Sequence, residues 1–109
     1  MRIVYHPEVK NISLVGVLYA LGDPVRLEIV KLLAVKEELC CRDFDFDVAK
    51  STMSHHFKIL RESGVIYTRR EGTQLINSLR REDLDKIFPG LLDVVLAISV
   101  RPFCPGLRS

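Results

Sequence analysis

The sequence predicts an α+β fold, mostly helical, in which a series of helices is interrupted once by a two-stranded β-hairpin. Three observations lead there. Apolar residues recur at helical spacing through most of the chain, as Val25, Ile29, Leu32 and Leu33 do in "DPVRLEIVKLLAV". The stretch "VIYTRREGTQLINSLR" breaks that period with two β-rich runs on either side of Glu71-Gly72, which suits a hairpin turn. The chain has 109 residues, 48% of them hydrophobic, enough for one compact core and not for two. Residues 1–109 are therefore read as a single domain.

Each element has its own local reason. "NISLVGVLYALG" is apolar around more than one face; Asn11 can cap it, or Pro7 can open it a turn earlier, and Gly22 ends it. The second helix starts at Asp23 as N-cap, with Pro24 in the first helical position. "EELCCRDF" is expected to be a short third helix and "DFDVA" a turn. "KSTMSHHFKILRES" is the fourth helix, stopped by Gly64. After the hairpin, "REDLDKIF" is a short helix capped by Glu82 or Asp83, and Pro89 opens a last helix, "PGLLDVVLAIS", apolar on nearly all sides. This order is a winged helix-turn-helix, with the helix-turn-helix at about 39–63 and the wing at about 65–79. The end helices, about 8–21 and 89–100, are too apolar for the surface of a small monomer, so they are expected to bury each other in a homodimer.

Net charge is only +2 but unevenly spread. Residues 50–81 carry Lys50, Lys58, Arg61, Arg69, Arg70, Arg80 and Arg81 against Glu62 and Glu71, while the flanking segments are net acidic. A concentrated basic segment points to an anionic partner. On a helix turning about 100° per residue, Met53, His56, Phe57 and Leu60 share one side, and Ser51, Ser54, His55, Lys58 and Glu62 the other. The adjacent histidines therefore diverge; chelation needs i,i+3 or i,i+4 spacing. His56 reads as a core histidine with one hydrogen-bond partner, and His55 faces outward among hydroxyls and a lysine. That outward set suits double-stranded DNA: short hydroxyls and imidazole approach base edges, Lys58 reaches a phosphate, and the helix N-terminus adds partial positive charge. Arg69 and Arg70, with Thr73 and Gln74 past the turn, have the composition of a wing tip against phosphates or a minor groove.

"ALGDPVRLEIVKLL" and "KSTMSHHFKILRESGVIYTRREGTQ" together resemble the arsenic-repressor (ArsR/SmtB) family of bacterial winged-helix regulators, over roughly residues 12–88. The resemblance implies a homodimeric repressor seated on an operator and released by an inducing signal. It also implies a recognition helix at residues 50–58 and a wing at 69–74. With the residue reading, the expected DNA-binding set is Lys50, Ser51, Thr52, Ser54, His55, Lys58, Arg69, Arg70, Thr73 and Gln74. The family's thiolate metal site begins "ELC-x-C"; here Cys40 takes its first position, Arg42 its second, and Asp45 lies near a third. Its other common zinc site uses Asp and His pairs in the last helix, and residues 81–100 contain no histidine. Neither site is complete, and no metal or cofactor is assigned.

Three cysteines, Cys40, Cys41 and Cys104, are an odd number with two adjacent, which excludes a secreted disulfide framework. They are the candidate sensor thiols, for redox or sulfur chemistry or a thiophilic ion, with a bridge from the pair to Cys104 as the less strained disulfide; the alternative reading makes one of the pair a small buried hydrophobe and the tail thiol incidental. "MRIVYHPEVK" has no apolar signal segment, and "LLDVVLAISV" is too short and too interrupted to span a bilayer. A reducing, cytoplasmic compartment and no membrane partner are expected. An enzyme is not: there is no Gly-rich phosphate loop and no carboxylate pair in a defined context. The other class weighed is a winged-helix protein-interaction module that does not read DNA.

Overall fold

The computed structural model describes residues 5–98. Their element order is α1 (Leu14–Leu21), α2 (Pro24–Lys36), β1 (Glu38–Cys40), α3 (Lys50–Glu62), β2 (Ile66–Glu71), β3 (Gln74–Leu79), α4 (Arg81–Ile87) and α5 (Leu91–Ile98), with single 3-10 turns at Val9–Asn11 and Cys41–Asp43. This is the mostly helical α+β winged helix-turn-helix that the sequence predicts.

Short polar side chains set the helix starts. Ser13, not Asn11 or Pro7, caps α1: its Oγ accepts from Gly16 N at 3.0 Å, and residues 9–11 form only a 3-10 turn before it. Asp23 caps α2 as expected, its Oδ2 accepting from the Val25 and Arg26 amides at 2.9 and 3.1 Å. Arg80 rather than Glu82 or Asp83 precedes α4; the two acids sit in its first turn, where the positive end of the helix favours them. Gly64 ends α3 with φ 89, and a Cβ there would lie 2.5 Å from Ile12 Cδ1, so both conformation and space demand glycine.

The third helix expected over "EELCCRDF" does not form. Glu37 takes φ 73 and ends α2, and Glu38–Cys40 then adds a strand to the hairpin, leaving one 3-10 turn at Cys41–Asp43. The sheet is antiparallel in the order β1-β3-β2, with Leu39 opposite Asn77 and Asn77 opposite Thr68. Pairing with β3 satisfies the backbone of a segment too short to hold a stable helix alone. The wing is thus anchored by a third strand. Its turn is one residue later than expected: Glu71 pairs with Gln74, and the loop is Gly72-Thr73, with Gly72 at φ 63.

Val17, Ile29, Leu33, Leu60, Ile66, Leu84 and Leu92, contributed by α1 to α5 and β2, form the centre of the core. Two polar groups are buried within it. Thr68 Oγ1 donates to Asn77 Oδ1 at 2.7 Å, and Asn77 Nδ2 donates to Leu39 O and Cys41 Sγ, so one amide ties all three strands. Arg26, 6% exposed, crosses from α2 to both neighbouring helices. Its Nε donates to Ala20 O at 2.7 Å, its Nη2 to Tyr19 O at 3.1 Å, and its Nη1 to His56 Nδ1 at 3.2 Å. The guanidinium thereby meets the last carbonyls of α1, where a cation is favoured, and holds a histidine of α3.

Candidate nucleic-acid interface

Helix α3 divides as its sequence pattern predicts. His56, Phe57 and Leu60 are buried and Met53 packs against the core, while Lys50, Ser51, Thr52, Ser54, His55 and Lys58 are exposed. The N-cap position is Ala49, which offers no side-chain acceptor, so no side chain of the N-cap occupies the first amides of α3. The helix therefore presents N–H groups, three hydroxyls in its first turns, an imidazole and two ammonium groups to solvent.

His56 is the core histidine, with Arg26 as its partner. Because Arg26 donates to Nδ1, the ring must be neutral with its proton on Nε2. Burial is the main force pushing its pKa below the ordinary value; the Asp23 carboxylate opposes this, and Arg26 and His55 add to it. The unfolded chain takes up this proton near the ordinary value of about 6.5 and the folded chain only at lower pH. The stability that His56 contributes is thus complete above about pH 6.5 and is lost as pH falls from there through the folded value. Urea midpoints at pH 7.5 and 5.5 should show this loss, and His56→Gln, which still offers Arg26 an acceptor, should flatten it. Equal pH dependence in the two proteins would remove His56 from the account.

The basic residues of the 50–81 segment differ in what holds them. Arg69 grips Glu38 with two hydrogen bonds, at 2.7 and 3.2 Å, and also reaches Glu71 at 3.1 Å. These bonds hold the Glu38 carboxyl below the usual carboxylate range and raise the Arg69 guanidinium further. Arg80 pairs with Asp83, and Arg81 with Asp85 and Asp93. Among the described residues, Lys50, Lys58, Arg61 and Arg70 have no ion pair. Strand alternation puts Arg70 on the face of β2 that carries Thr68 and Ile66, the buried face, and Arg69 on the opposite one. Arg70 and Thr73 are exposed at the tip and Gln74 is half-buried.

The two described thiols differ as well. Cys40 stands in β1 opposite Ile76, with its backbone N–H donating to Asp43 Oδ2 at 2.8 Å. Cys41 accepts from the Asn77 amide, and burial pushes its thiol pKa up, which makes it a poor nucleophile at neutral pH. Cys104 lies outside the described residues. No group of three or more His, Cys, Asp or Glu side chains among the described residues is arranged to hold a metal ion.

Similarity to known proteins agrees with this geometry. The model of the bacterial regulatory proteins of the arsR family matches residues 23–68, from the α2 cap to the middle of β2. The arsenical resistance operon repressor of Staphylococcus xylosus is 35% identical over 95 residues, 85% of this chain and 89% of that protein. The chain belongs to the ArsR family. A second relative, the HTH-type transcriptional regulator YceK of Bacillus subtilis, is 37% identical over 79 residues, 70% of this chain and 79% of that protein. Among solved structures, the transcriptional repressor BigR from Xylella fastidiosa superposes with a TM-score of 0.61 at 26% identity, covering 81% of this chain and 87% of that one. This ArsR-family member is a DNA-binding transcriptional regulator and not an enzyme. No helix among its described residues is long and apolar enough to cross a membrane.

Sequence reasoning missed two features of this region. Arg26 was legible in principle, because the helical period places it on the stripe of Ile29, Val30 and Leu33. The engagement of Arg69 by Glu38, 31 residues away, leaves no local trace in the sequence.

Proposed function

We propose that the protein is a homodimeric, cytoplasmic repressor that reads a double-stranded operator with α3 and the wing and is released by an inducing signal. The observation that carries this is the exposed polar side of α3, with Lys50, Lys58 and neighbouring Arg70 free of ion pairs among the described residues. In this reading Ser51, Thr52, Ser54 and His55 approach base edges and sugar-phosphate groups in the major groove, and Lys50 and Lys58 bind phosphates. Arg70, Thr73 and Gln74 follow the adjacent backbone or minor groove. Arg69 joins them only by sharing or giving up its surface carboxylates, a solvent-exposed pairing that water and salt screen.

The dimer rests on apolar surface that the single chain leaves uncovered. On α1, Leu14, Val15, Leu18 and Tyr19 are exposed, Val15 by 77%; on α5, Val94 and Ile98 are exposed. Burying these faces against a second copy removes from water a patch that a monomer rarely tolerates. It also sets two copies of α3 about 34–36 Å apart, the spacing of successive major grooves. Sedimentation at micromolar concentration should give a dimer, and Val15→Glu with Ile98→Glu should give a folded monomer that binds DNA weakly. A wild-type monomer at that concentration would overturn the arrangement. Cys40, Cys41 and Cys104 remain the candidate sensor thiols, and the protonated, hydrogen-bonded Cys41 favours Cys40 as the reactive member of the adjacent pair.

A further inference from the structure

We propose that a cavity beside α3 binds a small aromatic carboxylate, and that its occupancy opposes DNA binding. The cavity has a volume of about 520 Å³, within the range of roughly 300–1,000 Å³ common for small-molecule sites. Its apolar walls are Phe44, Phe46, Val48, Met53, Phe57 and Leu75. Phe44 meets Phe57 edge-on with centroids 5.3 Å apart, and Phe46 stands 6.2 Å from Phe44, so a flat ring finds aromatic edges and faces on one side. Arg42, Lys50 and Arg61 also line it, and among the described residues no Asp or Glu does. Among the described residues none of these three cations has an ion pair. An apolar body with one carboxylate therefore matches both parts of the lining, and the anion breaks no existing salt bridge. A neutral aromatic would leave three like charges around it unrelieved.

The cavity is built from the parts that dock on DNA. Lys50, Met53, Ser54 and Phe57 belong to α3, Leu75 to the wing strand β3, and Arg42, Phe44 and Phe46 to the segment joining β1 to α3. A bound carboxylate draws Lys50 away from a phosphate and adds negative charge beside the nucleic acid. This coupling rests on the assignment of α3 as the DNA-reading helix; the site itself does not.

The experiment uses the full chain with 1-naphthoate and its neutral counterpart 1-naphthalenemethanol, titrated by calorimetry into wild type, Arg61→Gln and Leu75→Trp. The expected result is naphthoate binding about tenfold tighter than the alcohol, the gain of one charge-assisted contact. Arg61→Gln should remove most of that preference, and Leu75→Trp, which fills the cavity, should abolish binding of both. Saturating naphthoate should weaken duplex binding, and saturating duplex should weaken naphthoate binding by the same factor. Equal affinity for acid and alcohol, no binding at millimolar naphthoate, or full binding by a folded Leu75→Trp would overturn the site. Should Leu75→Trp fail to fold, the Arg61→Gln comparison decides alone. Naphthoate bound in the cavity with duplex affinity unchanged would overturn the coupling, whereas loss of the DNA-reading assignment would show independently as duplex binding indifferent to Lys58→Ala.

Discussion

Lys58→Ala and Arg70→Ala should each weaken binding to every duplex, cognate or not, and flatten its dependence on salt. Each phosphate contact releases condensed counterions, so removing one lowers the log–log salt slope by about 0.9, counted once per subunit. At about 0.1 M salt that alone amounts to on the order of tenfold in affinity per contact. The structure adds an order of effect. Arg70 is exposed and free of ion pairs among the described residues, whereas Arg69 is held by Glu38 and Glu71. Arg69→Ala should therefore cost less than Arg70→Ala, because it removes a cation already partly neutralised. Ser54→Ala and His55→Ala should behave differently, leaving the salt slope nearly unchanged and altering base preference by about 1–3 kcal/mol where a base contact is lost. Fluorescence anisotropy with labelled duplexes across a salt series separates the two classes. Slopes unaltered by both Lys58→Ala and Arg70→Ala would mean that the protein docks through another face.

Arg26→Met should cause a large loss of stability without touching DNA directly. Methionine keeps much of the apolar stem, but Ala20 O and His56 Nδ1 lose their guanidinium donor, while Tyr19 O keeps only its bond from the Gly22 amide. The two carbonyls lie at the C-terminal end of α1, and the imidazole belongs to α3, so the change loosens both helices from α2. Leaving buried acceptors unsatisfied costs about 1–3 kcal/mol each, less where water can enter, which places the total on the order of 3 kcal/mol. For a domain of this size that is a fall in Tm of roughly 10–20 °C. Urea denaturation of wild type and variant at one protomer concentration measures it, since dimerisation would otherwise shift the midpoint. A difference under about 0.5 kcal/mol, typical of surface changes, would make the Arg26 network incidental.

The parts of this fold legible in the sequence are those fixed by local physics. The α2 start at Asp23-Pro24, the two sides of α3, its stop at Gly64 and the hairpin near Gly72 all depend on residues within a few positions of one another. Strand β1 was not legible because its stability comes from β3, whose residues lie far along the chain. "EELCCRDF" carries no strand alternation strong enough to outweigh a helical reading. The exposed α3 set was legible from the 3.6-residue period, but which of the neighbouring cations are free was not, because Glu38 reaches Arg69 only through the sheet. The cavity lies between three separate segments and has no counterpart in any single one.

Two copies of α3 entering successive major grooves of one duplex should leave a paired imprint on the DNA. A hydroxyl-radical footprint on a duplex enriched by the protein from a random pool tests it most directly. The expected result is a two-fold symmetric footprint with half-site centres one helical turn apart, about 10–10.5 base pairs, or a multiple of that spacing. Lys58→Ala should weaken both halves equally. A single protected half-site, or no enrichment of any duplex over the starting pool, would contradict it.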